Sequence, residues 1–108
     1  MILRNPYKAE KLDVAGLNEI TVLIDRSETA LTEIGMNKWR IGLKGPPHAH
    51  DQKEQMFYVT SGIGSIIIGS EKYQVKPGHL LYIPAGISHQ SLVGSEEPLV
   101  YLLFNAFT

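Results

Sequence analysis

The chain contains no cysteine. That absence excludes disulfides, a thiolate nucleophile and any zinc–thiolate site. Net charge is nearly absent as well, since ten Lys and Arg against eleven Asp and Glu leave −1 with neutral histidines. Such a balance offers no electrostatic case for binding nucleic acid or an anionic membrane surface. Long apolar runs are missing; stretches such as Leu99–Phe104 fall far short of the ~20 residues that cross a bilayer as a helix. The opening residues, Met1 to Pro6, lack the basic-then-apolar layout of a secretory leader, so the cytoplasm is the expected location. No Gly-x-Ser-x-Gly elbow is present, which argues against a serine hydrolase. Acidic residues pair up only at Glu96-Glu97, in an expected turn, so the carboxylate pair of a glycosidase is not evident. The stretch Ser61-Gly62-Ile63-Gly64-Ser65 is glycine-rich, yet a strand pattern follows it, without the helix N-terminus that phosphate loops use. Helical periodicity is weak: the best segment, Tyr7–Leu17, starts beside Pro6 and is interrupted by Gly16, and allows a turn of helix at most.

What remains is a strand pattern. At 108 residues and 44% apolar composition, one domain spanning 1–108 with a real core is expected. Ten glycines and six prolines punctuate short apolar or β-branched stretches, the spacing of a sandwich or barrel. Candidate strands are Ile20–Asp25, Ala30–Asn37, Arg40–Leu43, Gln55–Thr60, Ile63–Ile68, Lys72–Val75, Leu80–Ile83, Ser88–Val93 and Leu99–Phe104. Gly69-Ser70-Glu71 reads as a hairpin turn, and Lys76-Pro77-Gly78 as a turn in which proline pre-sets φ. Leu80–Ile83 is expected to be a buried apolar strand. The last strand is apolar on both faces, with Val100, Leu102 and Phe104 on one and Tyr101 and Leu103 on the other. Both faces then need cover, from the N-terminal segment or from a second subunit at a strand edge or a sheet face, and a homodimer is expected.

The chemistry concentrates in two stretches. His48 and His50 follow Pro46-Pro47, and two residues apart on a strand place both imidazoles on one face. His89 ends a second stretch, Gly78 to His89, containing Pro84 and Gly86. Neutral imidazole is the commonest protein metal ligand, so three histidines from two segments suggest a metal site. The bland reading of His48 and His50 is a polar loop after two prolines, and for Gln55 it is a core amide supporting a histidine. His79 is expected at the surface, and Trp39, Tyr58 and Tyr82 as packing residues.

These stretches resemble the paired signature of the cupin superfamily, G-x5-H-x-H-x(3,4)-E-x6-G and G-x5-P-x-G-x2-H-x3-N. Gly42, His48, His50 and Gly62 fit the first motif (about 42–62). Gly78, Pro84, Gly86 and His89 fit the second (about 78–93). The resemblance implies an all-β double-stranded β-helix, or jelly-roll barrel, of the small RmlC-like type with extra N-terminal strands. It also implies one divalent transition metal (zinc, iron, nickel, manganese or copper) held by His48, His50, His89 and Gln55. In this sequence the motif glutamate is replaced. Counting six residues back from Gly62 reaches Gln55, whereas three residues after His50 reaches Glu54. Neighbours on a strand face opposite sides, so only one of them points inward. Gln55 is favoured, with Phe57 and Val59 on its face. The position of the motif's final asparagine is held by Val93. An amide ligates through oxygen without charge, so the ion's charge would go uncompensated and anionic oxygen ligands would be favoured. Three functions remain open: a metal-dependent enzyme of dioxygenase, isomerase or lyase type acting on a small anionic or oxygenated molecule; a non-catalytic metal- or ligand-binding module; and a metal-free barrel with acid–base histidines. The last is disfavoured, because all three motif histidines occupy ligand positions.

Overall fold

The computed structural model describes every residue except Ala15, Leu43, Ser95 and Thr108. Among the described residues the chain forms β1 (Lys11–Val14), β2 (Asn18–Ile24), β3 (Thr32–Trp39), β4 (Lys53–Ser61), β5 (Gly64–Ile68), β6 (Glu71–Val75), β7 (Leu80–Ile83), β8 (His89–Val93) and β9 (Leu99–Phe107). They assemble into a six-stranded sheet, β1-β2-β3-β9-β4-β7, and a three-stranded sheet, β6-β5-β8. Neighbouring strands run antiparallel throughout. One core joins the two sheets: Trp39, Phe57, Val59, Ile83, Leu99 and Tyr101 from the larger, Ile66 and Val75 from the smaller. Burial of each such side chain is worth roughly 1.5–3 kcal/mol. The fold is an all-β jelly roll. No helix among the described residues is long and apolar enough to cross a membrane.

Register places chemistry in rows across the larger sheet. On its inner face Glu33, Asn105, Gln55 and Ile83 are consecutive Cα partners on β3, β9, β4 and β7. The next row inward along the strands is Gly35, Leu103, Phe57 and Leu81, and beyond it come Asn37, Tyr101 and Val59. Alternation then puts Met56, Tyr58, Tyr82, Leu102 and Phe104 on the outer face.

Several expectations change. Tyr7–Leu17 holds no helical turn of the expected kind: residues 6–8 turn, and Lys11–Val14 enters a hairpin with β2. Asp13 closes that hairpin by accepting from the Gly16 amide at 3.1 Å. A short 3₁₀ helix lies instead at Arg26–Glu28, capped by Asp25. The expected strand Arg40–Leu43 is a turn at 41–42, and Leu43 lies outside the described residues. Leu80–Ile83 is a strand, but not a buried one. It forms the sheet edge, where Leu80 is 65% and Tyr82 52% exposed, so only Leu81 and Ile83 turn inward. Tyr58 and Tyr82 are accordingly exposed, whereas Trp39 is buried. The last strand is not an edge: β9 lies between β3 and β4. Its inner face meets the core, and its outer face (Val100, Leu102, Phe104) is half-buried.

Candidate metal centre

The three histidines converge through backbone pairing. Residues 45–50 run alongside β8 and the turn before it. Gly45 N donates to Ser91 O at 2.8 Å, and Gly86 N donates to His50 O at 2.7 Å. Between these contacts, His48 and His89 exchange both backbone hydrogen bonds, at 2.9 and 2.8 Å, as an antiparallel bridge. A bridge of this kind sets the two side chains on the same face. Gly86 makes the approach possible, because its φ of +80° lies where side chains are disfavoured. The ring centroids of His48 and His89 are 4.1 Å apart, with His50 at 5.1 Å from His48 and 5.5 Å from His89. One ring nitrogen from each of the three lies within 4.8 Å of the others. His48, His50 and His89 thus form a group that could hold a metal ion.

Tautomers favour that use. His48 Nδ1 lies 3.1 Å from Pro46 O, and His89 Nδ1 lies 3.5 Å from Ile87 O. A ring that donates from Nδ1 to a carbonyl leaves Nε2 with a lone pair for a ligand. Burial, reinforced by His48, His50 and Lys53, lowers the His89 pKa to about 4, against which only the Ile87 carbonyl acts. His50 is also lowered, first by burial and then by Lys53 and His48, with Asp51 and Glu33 opposing. Both rings therefore favour the neutral, ligating form. Among the described residues, two buried side-chain atoms lack a hydrogen-bond partner, His89 Nε2 and Gln55 Oε1. Leaving a buried acceptor unpaired costs about 1–3 kcal/mol. An unpaired ring nitrogen within the histidine group, and an unpaired amide oxygen on a residue that lines the same cavity as His48 and His50, fit a cation site.

Gln55 and Glu54 separate as alternation requires. Gln55 is 4% exposed and shares its inward face with Phe57 and Val59, at 3% and 1%. Glu54 faces out and accepts from the Tyr82 hydroxyl at 2.6 Å. His79 is exposed and distant in role, its Nδ1 accepting from Lys76 N at 3.1 Å in the turn before β7. His48, His50 and Gln55 line a cavity of about 380 Å³. Its walls are largely apolar, with Leu17, Ile20, Trp39, Phe57 and Leu103 among them. Deep in the wall, Tyr101 OH accepts from Trp39 Nε1 at 2.7 Å and meets Ser91 Oγ at 3.2 Å. Burial pushes its pKa up to about 12, so it remains a neutral phenol.

Sequence reasoning missed several polar residues of this cavity, among them Glu33, Lys53 and Asn105. Gln55 Nε2 donates to Asn105 Oδ1 at 2.8 Å, and Asn105 Nδ2 donates to Glu33 Oε1 at 2.6 Å. Lys53 Nζ lies 3.7 Å from the same Glu33 oxygen. The available signal was Asn105 itself, a polar residue two positions beyond Leu103 on the inward face of an apolar strand.

Comparison with known proteins agrees with this geometry. The family model described as "Cupin domain" matches residues 39–105, most of the chain and both histidine segments. The chain belongs to the cupin family. An uncharacterised Streptomyces coelicolor protein is 37% identical to this cupin over 59 residues, 55% of this chain and 53% of that one. The match covers about half the length, or less, of the curated relatives found. Among solved structures, a Thermotoga maritima protein described as a predicted oxalate decarboxylase superposes with a TM-score of 0.89 at 16% identity, over 100% of both chains. The polyketide cyclase RemF from Streptomyces resistomycificus gives a TM-score of 0.86 at 20% identity, over 98% of this chain and 79% of that one. At such identities the likeness is one of fold.

Proposed function

We propose that this cupin binds one divalent transition metal through His48, His50 and His89, that Gln55 Oε1 completes the donor set, and that the adjoining cavity receives a small oxygenated or anionic molecule. The observation that carries this reading is the pair of buried, unpartnered acceptors, His89 Nε2 and Gln55 Oε1. Each would gain a partner from a cation, and none of the described side chains supplies one. When bound, such an ion supplies Lewis-acid polarisation of an oxygen donor, and a redox-active ion adds electron transfer. The chain's own residues hold the His50 and His89 imidazoles neutral, line the cavity with Trp39, Phe57 and Leu103, and leave a bounded space for the molecule's body.

Turnover of a small carboxylate, enolate or diketone is one outcome of that arrangement. Binding without turnover is the second reading, and one observation favours it. Both cavity carboxylates are engaged: Glu33 by Asn105 and Lys53, and Asp25 by the Ser27 amide at 3.1 Å. Neither is free to act as a general base. Assay of metal-loaded protein against small diketones, flavonoids and keto acids separates the two readings.

We further propose that a second copy covers the outer face of the larger sheet. Tyr58, Leu80 and Tyr82 expose 41%, 65% and 52% of their surfaces there, beside half-buried Met56, Leu102 and Phe104. An apolar face of this extent favours association.

The metal reading is tested by elemental analysis of purified protein. Wild type and His79→Ala should carry stoichiometric metal, and His50→Ala should carry none. Equal metal content in all three removes the assignment.

A further inference from the structure

Carboxamides are nearly symmetric in shape, so Gln55 could present either its oxygen or its amino group to the cavity, and hydrogen bonding must choose. We propose that Glu33 makes that choice, acting through Asn105 as a positioning residue that keeps the Gln55 oxygen free for the site. The inference rests on the metal-binding reading and concerns how this chain turns a neutral amide into an obligatory acceptor.

Glu33, Asn105 and Gln55 are register partners on three adjacent strands, so their side chains stand side by side on the inner face. Polarity then propagates along the row. The Glu33 carboxylate, beside Lys53, is an acceptor, and it takes a hydrogen bond from Asn105 Nδ2 at 2.6 Å. Turning Asn105 over would set its oxygen against that carboxylate, two acceptors at hydrogen-bond distance. With its amino group committed, Asn105 has only Oδ1 to offer Gln55, which meets it with Nε2 at 2.8 Å. Turning Gln55 alone would again oppose two oxygens. The remaining end of the row is Gln55 Oε1, buried and without a partner among the described residues. An orientation fixed at the cavity wall is thus delivered to the site two strands away. Lys53 holds the charge of Glu33 in check, so the row transmits orientation and not charge.

Glu33→Gln tests this. It is close to isosteric and offers Asn105 either a donor or an acceptor, so the row loses its preferred direction. In metal-free protein, the side-chain NH₂ resonances of both Asn105 and Gln55 should shift, and the Gln55 amide protons should exchange faster with solvent. Cobalt(II) affinity should fall roughly tenfold, the scale for losing an outer-shell partner. The same substitution in a Gln55→Ala background should leave affinity nearly unchanged, because no amide remains to be turned. Unaltered Gln55 resonances in Glu33→Gln, or an equal affinity loss in both backgrounds, overturns the proposal. The metal-free spectra stand apart from metal binding: resonances that move as expected in a protein that takes up no cobalt support the relay and sink the metal function.

Discussion

Restoring the motif carboxylate by Gln55→Glu should weaken the metal-free protein and tighten its hold on metal. Gln55 is 4% exposed and gives its amino group to Asn105 Oδ1 at 2.8 Å. An ionised carboxylate in its place would set two acceptors against each other, and Asn105 could turn to it only by abandoning Glu33. The new carboxyl should therefore rise in pKa and carry a proton, which restores a donor toward Asn105. Its stability cost is absent well below the ordinary carboxyl pKa and grows as pH rises, because the unfolded chain ionises where the folded one resists. A shift of about 2 units costs about 2.7 kcal/mol near neutrality. For a domain of this size that is a loss of roughly 10–20 °C in Tm, at about 4–8 °C per kcal/mol. Metal reverses the sign. A carboxylate about 4 Å from a divalent ion gains roughly 8 kcal/mol at an effective dielectric near 20. Even after the cost of ionisation is subtracted, affinity should rise by at least about tenfold. Differential scanning calorimetry with and without zinc, together with competition titration at pH 7, reads both quantities. A metal-free Tm equal to wild type, or unchanged affinity, would show that this amide neither depends on Asn105 nor reaches the ion.

The His89 pKa, lowered to about 4 against an ordinary 6.5, implies that metal-free protein keeps its full stability above pH 6.5 and loses it as pH falls toward 4, because the unfolded chain binds the proton first. The loss should approach about 3 kcal/mol, and in urea titrations across that window wild type should lose this much relative to His89→Gln, whose amide takes up no proton; a stability difference that stays constant with pH contradicts it. Gly62→Ala should destabilise by more than the ~1–2 kcal/mol of a left-handed backbone, because φ is +82° and the added carbon would lie 2.0 Å from Pro98 O; a melting temperature within a degree of wild type contradicts this. Leu80→Glu should convert a dimer to a monomer in light scattering while leaving metal content intact, and a wild type that is already monomeric removes the proposed interface.

The legible features were local ones. The glycine–histidine spacing around His48, His50 and His89 reports two turns formed by residues close in sequence or constrained by glycine, while the bridge that joins His48 to His89 is expected only through the resemblance. The alternation Gln55, Phe57, Val59 fixed which of two neighbours faces inward, since two of the three are apolar. Non-local register was not legible. Glu33 and Asn105 are 72 positions apart, and nothing in either segment signals that β9 inserts between β3 and β4. The same gap explains Leu80–Ile83. An apolar tetrapeptide looks alike at a sheet edge and at its centre, and only the strand order leaves Leu80 and Tyr82 uncovered. Tyr7–Leu17 misled for the opposite reason, because a four-residue strand such as Lys11–Val14 is too short to show a period and depends on its hairpin partner.

A neutral donor set also constrains what else the cavity accepts. On the proposed reading, three imidazoles and a carboxamide would leave a divalent ion's charge unanswered, and in an apolar enclosure that charge would be felt strongly. The carboxylates that line the cavity are occupied, since Glu33 is tied to Asn105 and Lys53 and Asp25 caps the 3₁₀ helix. Drawing either carboxylate toward the ion would break these contacts and leave Asn105 or the helix cap unsatisfied. The cheaper source of negative charge is the incoming molecule. On the proposed reading, an anionic oxygen donor with a small apolar body should displace a neutral analogue of the same shape, and Gln55→Glu, by supplying the missing charge from within, should narrow that preference.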